Sequence, residues 1–242
     1  MRNYQQEFEK RVEFIKKILD KSGTEGIVYG NSGGKDSALV GILCKAACDN
    51  TIGIIMPCTS KRNYGIDMED AKTVAGRYNI ETRIIDLSPV KEAFISQVTS
   101  AVELNQKALF NIAPRIRMMT LYAIAAAENR LVAGTGNRSE AYVGYFTKWG
   151  DGAHDFNPIA DLTVREIYEF LRYLDAPGCI IEKAPSAGLF DGQTDESEMG
   201  ITYNTLDEYL LGGSVSEEDA LVIQKMHELS EHKRKGIIVY QP

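Results

Sequence analysis

The sequence predicts an α/β fold, an open parallel β-sheet with helices on both faces. Three observations carry that expectation. Short apolar runs alternate along the chain with longer segments of helical periodicity. A glycine-rich turn follows the first run and a Gly-Thr-Gly turn follows the fourth, both at strand-to-helix junctions. No internal repeat or low-complexity tract interrupts the alternation, so a single domain over residues 1–242 is expected.

Each element has a local reason. Phe8, Val12, Ile15 and Leu19 fall on one face of a helix over residues 5–20. Ile27-Val28-Tyr29 centres a short buried strand over 26–30, and residues 37–48 read as a helix. Ile52 to Met56 form a second strand, closed by Pro57. Asp67 reads as the N-cap of a helix over 68–78, and 82–87 as a third strand. Ser88-Pro89 is a cap followed by proline at the first helical position. A long helix is expected over about 108–129, then a fourth strand over 130–133. Thr163 and Glu166 form a capping box ahead of Ile167, Phe170, Leu171 and Leu174. Ser216 starts a last helix expected to run to about Lys235. The polar, glycine-containing segment 184–204 reads as a mobile loop.

Composition narrows the function classes. The net charge of −7 disfavours non-specific nucleic-acid binding, which needs a basic surface. No apolar run approaches the roughly 20 residues that span a bilayer, and the charged N-terminus is unlike a signal peptide. Cys44, Cys48, Cys58 and Cys179 form no C-x-x-C pair; Cys44 and Cys48 read as small buried apolar residues. A reducing, cytoplasmic setting is expected.

The strongest chemical signal is Gly30-Asn31-Ser32-Gly33-Gly34-Lys35-Asp36-Ser37, between a strand and a helix. It lacks Walker A spacing, but the physics is related. Adjacent glycines let backbone N–H groups approach an oxyanion, and the following helix N-terminus adds partial positive charge. Ser32 and Ser37 offer hydroxyls to phosphate oxygens. A carboxylate beside phosphates, as at Asp36, is useful if it holds a cation such as magnesium. A plain glycine turn needs none of this combination.

This loop resembles the SGGxDS pyrophosphate loop of the N-type ATP pyrophosphatases, which cleave ATP between its α and β phosphates and adenylate an acceptor oxygen. Four further segments follow it: Asn111-Ile112-Ala113-Pro114-Arg115-Ile116-Arg117-Met118, Gly134-Thr135-Gly136-Asn137-Arg138-Ser139-Glu140, residues 144–152 around Lys148, and residues 193–200 from Gln193 to Gly200. In that order they resemble NAD synthetase, over nearly the whole chain to Glu231-His232-Lys233-Arg234. The resemblance implies a Rossmann-like fold of the adenine nucleotide α-hydrolase type and the ATP-dependent amidation of deamido-NAD with ammonia. It implies ATP contacts by the 30–37 loop, Thr135 and Ser186, and magnesium held by Asp36 with Glu140. Deamido-NAD contacts fall on Arg115, Lys148, Asp155, His232 and Lys233, with Arg117 structural. A homodimer is implied, with the dinucleotide site near the subunit interface; the apolar stretch 118–127 reads as either core or interface.

Departures stand beside the match. Where many relatives carry an ATP-contacting lysine, this chain has Val164, leaving Arg165 or Lys183 to supply the charge or the contact absent. Pro185-Ser186-Ala187-Gly188-Leu189 keeps a hydroxyl but loses an acid at Gly188. The synthetase resemblance leaves no room for a glutamine-hydrolysing domain, so free ammonia or ammonia from a separate protein is expected. Two other readings remain: another ligase or thiolase of the superfamily acting on tRNA, against which the acidity and the unpaired cysteines argue, and a non-catalytic nucleotide sensor.

Overall fold

In the computed structural model, which describes residues 2–58, 64–183 and 195–240, the chain alternates strands and helices as expected. Helix α1 (Tyr4–Ser22) leads into β1 (Gly26–Gly30), α2 (Lys35–Ala47) and β2 (Thr51–Ile55). Then come α3 (Ile66–Arg77), β3 (Glu81–Ile84), α4 (Ser88–Thr99), α5 (Gln106–Ala127) and β4 (Arg130–Ala133). Short α6 (Arg138–Val143), α7 (Val164–Tyr173) and α8 (Gly178–Ile181) follow. The C-terminal part holds α9 (Asp195–Met199), α10 (Tyr203–Leu210), α11 (Glu217–Leu229) and α12 (Glu231–Arg234).

The strands form one parallel sheet in the order β3-β2-β1-β4. Ile27 pairs with Thr51 on one side of β1 and with Leu131 on the other. Strands that face helices on both sides must be apolar throughout, and β2 is buried along its whole length. One core packs Ile27, Leu39, Leu43, Ile167, Phe170 and Leu171 between the sheet and α1, α2 and α7. A second packs Val28, Ile52, Ile54, Ile112, Ile116 and Val132 on the opposite face, beneath α5. The order matters for function. The chain leaves β1 toward β2 but returns with β4 on the other side, which opens a crevice at the carboxyl ends of β1 and β4.

Several local expectations change. Helix α3 starts at Ile66 after Gly65, so Asp67 is a buried first-turn residue and not the N-cap. Its carboxylate accepts an ion pair from Lys183 at 2.7 Å, a tertiary partner that competes with capping. Helix α2 begins at Lys35, two residues before the expected start at residue 37, which places Lys35 and Asp36 on its first turn. Ser88 is already helical, with Leu87 at the cap position and Pro89 in the first turn. β3 ends at Ile84, although Ile85 N and Leu87 N still donate to Ile55 O and Pro57 O at 2.9 Å. The expected last helix breaks at Ser230, whose hydroxyl turns back to Met226 O at 2.6 Å.

The apolar stretch of α5 divides. Ala125 is buried with Leu121, Tyr122 and Ile124 packed around it, while Met119 is 57% exposed. Cys44 and Cys58 are buried, Cys48 is half-buried, Cys179 is exposed, and all four are free. Of the expected loop 184–204, residues 184–194 lie outside the described residues; 195–199 form α9, with Asp195 and Met199 buried. No helix among the described residues is long and apolar enough to cross a membrane.

Candidate active site

The 30–37 loop runs from the end of β1 to the first turn of α2. Gly33 has φ +70°, and a Cβ there would lie 2.1 Å from Asp67 O, so only glycine lets the loop pack on α3. Asn31 is buried and donates to Ala71 O at 3.1 Å, a second tie to α3. The Ser32 and Ser37 hydroxyls are 3.1 Å apart, and Ser37 also donates to Gly34 O at 3.0 Å. Across the crevice, Gly134 continues β4. A Cβ at Gly134 would come 2.4 Å from the His154 ring, so the strand end needs glycine to pass over it.

The two loops face one cavity of about 520 Å³. Gly30, Asn31, Ser32, Gly34, Lys35, Asp36, Ser37, Thr135 and Glu140 all line it, together with Lys233. Gly33 turns away, beneath α3. Ser186 lies outside the described residues.

Asp36 and Glu140 are brought together by Asn137, which is fully buried. Asn137 caps α6: its Oδ1 accepts from Glu140 N at 2.9 Å, and its own N–H donates to Glu140 Oε2 at 3.2 Å. Its Nδ2 donates to Asp36 Oδ1 at 3.0 Å. One residue therefore orients both carboxylates, Asp36 through its side-chain amide and Glu140 through its backbone N–H. Their other oxygens face the Lys35 ammonium, 2.8 Å from Asp36 Oδ2 and 4.0 Å from Glu140 Oε1. Burial, then the Asp36 charge, push the Glu140 carboxyl up, to about 8. Burial opposes the Lys35 charge, but Asp36 and Glu140 more than compensate and raise it.

These two carboxylates fit magnesium. They are hard oxygen donors, they converge on a single point, and a cation already stands there in the form of the ammonium. Among the described residues no cluster of three or more protein ligands exists. Magnesium characteristically takes one or two carboxylates and completes its shell with water and substrate phosphates. Among the described residues, the acids Asp36, Asp67, Glu140, Asp151, Asp195 and Glu198 line the cavity together with the cationic side chains of Lys35, Lys107, Arg117, Lys183 and Lys233.

The expected acceptor residues divide. Lys233 lines the cavity, donates to Gly144 O and Phe146 O at 2.7 Å, and is lowered by burial. Arg115, Lys148 and His232 form a chain outside it: Arg115 Nη2 lies 3.3 Å from Lys148 O, and Lys148 Nζ donates to His232 O at 2.6 Å. Asp155 sits apart on the far side of β4. Its carboxylate accepts from Val132 N at 2.7 Å and Tyr122 OH at 3.2 Å.

Other residues enter the site of which no binding role was expected. Asn137 was signalled in sequence by its Asn-x-x-Glu spacing, a capping box. Arg117, expected to be structural, lines the cavity and donates to Met56 O at 3.1 Å; burial lowers its pKa. Asp195 is buried at the cavity wall and accepts from Tyr203 OH at 3.0 Å. Arg165 and Lys183, the two candidates for the missing charge, lie in different places. Arg165 pairs with Glu208 at 3.0 Å and does not line the cavity. Lys183 does, donating to Gly33 O at 3.0 Å and pairing with Asp67 and Asp70 at 2.7 Å.

The family described as NAD synthase matches residues 7–237. The chain is 46% identical to the NH3-dependent NAD+ synthetase of Carboxydothermus hydrogenoformans, over 96% of each chain. Among solved structures, the NMN synthetase of Francisella tularensis is 40% identical with a TM-score of 0.93, covering 99% of both chains. The NH3-dependent NAD synthetase of Campylobacter jejuni is 34% identical with a TM-score of 0.81, covering 100% of both.

Proposed function

Because the chain belongs to the NAD synthase family, we infer that it consumes ATP to convert the nicotinate carboxylate of deamido-NAD into the amide of NAD, with ammonia as the nitrogen donor. The observation that carries this reading is the facing of two elements across one cavity. On one side stand the loop amides and the N-terminus of α2; on the other stands Glu140, held beside Asp36.

The chemistry runs in two steps. A carboxylate oxygen of the acceptor attacks the α phosphorus of ATP, and the α–β phosphoanhydride bond breaks with release of pyrophosphate. Ammonia then attacks the acyl carbon; AMP leaves with the bridging oxygen, and one proton is released. No enzyme nucleophile is required. The loop amides and the Ser32 and Ser37 hydroxyls offer preorganised donors for phosphate oxygens. Asp36 and Glu140 would hold magnesium, which when bound neutralises charge on the leaving pyrophosphate. Thr135 faces the same space, and Ser186 belongs to the ATP contacts by resemblance. By resemblance Lys233 would meet the acceptor's anionic groups, and Arg115, Lys148, Asp155 and His232 would serve an acceptor that extends beyond the cavity.

The TM-score of 0.93 favours a second reading, in which the acceptor is the corresponding mononucleotide and the product is NMN. A shorter acceptor would leave the outer residues idle. The test is to give purified protein ATP, magnesium, ammonium and either acceptor, measuring NAD by a coupled dehydrogenase assay and NMN by chromatography. NAD formation dependent on ATP and ammonium, and lost in Asp36→Ala, supports the first reading. Turnover of the mononucleotide alone replaces it with the second; no pyrophosphate with either acceptor sinks both.

The homodimer belongs to the same proposal. Val90 and Phe94 on α4 and Met119 on α5 are 45%, 49% and 57% exposed, apolar surface that a second copy would cover. Four free cysteines suit a reducing cytoplasm.

A further inference from the structure

Lys35 occupies the variable position of the SGGxDS loop, on the first turn of α2. A cation there is opposed by the helix macrodipole. Its side chain is only 6% exposed, and a buried ammonium is costly unless anions surround it. The surroundings are specific. Nζ lies 2.8 Å from Asp36 Oδ2, 4.0 Å from Glu140 Oε1 and 5.5 Å from the centre of the Tyr203 ring.

The remaining oxygen of each carboxylate is already engaged by Asn137. The two oxygens that face the ammonium are therefore the two that a metal ion needs. An ammonium and a dication cannot share that point, because like charges a few ångströms apart repel strongly in a partly desolvated site.

Resting on the reading that Asp36 and Glu140 hold magnesium, we propose that Lys35 is a built-in counter-cation that keeps the metal site closed until ATP arrives. Without nucleotide, the ammonium pairs with the Asp36 carboxylate and occupies the point that Glu140 also faces, and a metal ion gains little by displacing it. With nucleotide, the polyphosphate offers the ammonium a new anionic partner in the same cavity. The flexible four-carbon stem of lysine allows that transfer. Metal and ATP then bind together, each strengthening the other by the same factor.

The test titrates Mn²⁺ into the full-length protein without nucleotide and follows it by electron paramagnetic resonance. Wild type and Lys35→Arg are expected to bind weakly. Lys35→Gln and Lys35→Met are expected to bind at least about tenfold more tightly, about 1.4 kcal/mol. Adding α,β-methylene-ATP should raise Mn²⁺ affinity in wild type far more than in Lys35→Gln. A merely structural lysine would lower thermal stability without raising metal affinity. Equal or weaker Mn²⁺ binding in both neutral variants, with wild-type circular dichroism, overturns the proposal. A variant that does not fold alone should fold when magnesium replaces the lost charge; one that stays unfolded at saturating magnesium also overturns it. Asp36→Asn separates the two readings. If it abolishes Mn²⁺ binding and wild type binds as tightly as Lys35→Gln, the metal site stands and the gate alone fails. If no protein binds Mn²⁺ even with the nucleotide analogue, the metal reading fails and takes the gate with it.

Discussion

At Asn137 a single buried residue makes three hydrogen bonds that serve two ends at once, capping α6 and aligning Asp36 with Glu140. These ends can be separated by mutation. Asn137→Ala should lower stability by about 1 kcal/mol through the lost cap and raise the magnesium concentration needed for half-maximal activity. Asn137→Ser keeps a capping hydroxyl, so denaturant midpoints should recover while the magnesium requirement does not. A parallel recovery of both would mean that Asn137 only caps.

Glu140 yields a pH prediction with a definite sign. Its folded-state pKa, about 8, lies above its ordinary value of 4.5. The folded protein holds the proton more tightly, so this stabilising contribution is complete below about 4.5 and is lost as pH rises through about 8. Glu140→Gln preserves the capping box, which accepts Gln as well as Glu. Without magnesium the variant should therefore exceed wild type at pH 8 by at least about 1.4 kcal/mol, the worth of one pKa unit. Thermal unfolding from pH 5 to 8 checks this. The same variant should lose at least about 100-fold in kcat if the carboxylate helps hold magnesium, whose charge neutralisation is worth several kcal/mol. Equal melting curves would dispose of the raised pKa.

At the scale of the element, α7 shows how far local code reaches. The Thr163–Glu166 capping box was readable from spacing alone, and the structure contains it: Thr163 N donates to Glu166 Oε2 at 2.9 Å. Ile167, Phe170 and Leu171 bury on the face that the periodicity indicated. Thr163→Ala should cost about 1 kcal/mol of stability, read from the denaturant midpoint, with the Michaelis constant for ATP unchanged. The start of α3 shows where that code stops. Asp67 has the residue type of a cap, yet Lys183 from a distant part of the chain takes its carboxylate into an ion pair, and the helix starts two residues earlier than expected. A spacing rule cannot see such a partner.

Across the whole molecule, α1 is fastened to the loop before α7 by charge as well as by packing. Arg11 is buried and holds both Asp161 oxygens, at 2.7 and 2.9 Å. Burial pushes the Asp161 carboxyl up, but the Arg11 hydrogen bonds and charge, with Arg2, hold it below its ordinary 3.8. A depressed carboxyl contributes stability above that value and loses it as pH falls through the folded pKa. Arg11→Met should then destabilise by about 1 kcal/mol at pH 7, the scale of a pair whose carboxylate is half exposed, and urea midpoints of the two proteins should converge as pH falls below 3.8 and Asp161 protonates. A constant gap would assign Arg11 to packing alone.

Features that depend on neighbours in the chain could be read from the residues alone. The alternation of strands and helices, the glycine loop with its two serines, the capping boxes and the four strand cores are set by spacings of one to four residues, and physics at that range is local. The family likeness also resided there, in the order of the motifs. Tertiary structure decided what depends on strand order and on partners remote in the chain. Because β4 returns beside β1, the residues after it meet the 30–37 loop, and Asn137 reaches Asp36 across 101 residues. The same assembly buries Lys35 against both acids, draws Lys183 under the loop, and leaves Arg115, Lys148 and Asp155 outside the cavity. No local pattern encodes those distances, because they arise only when the sheet closes its two cores and charges from separate segments must be buried in pairs.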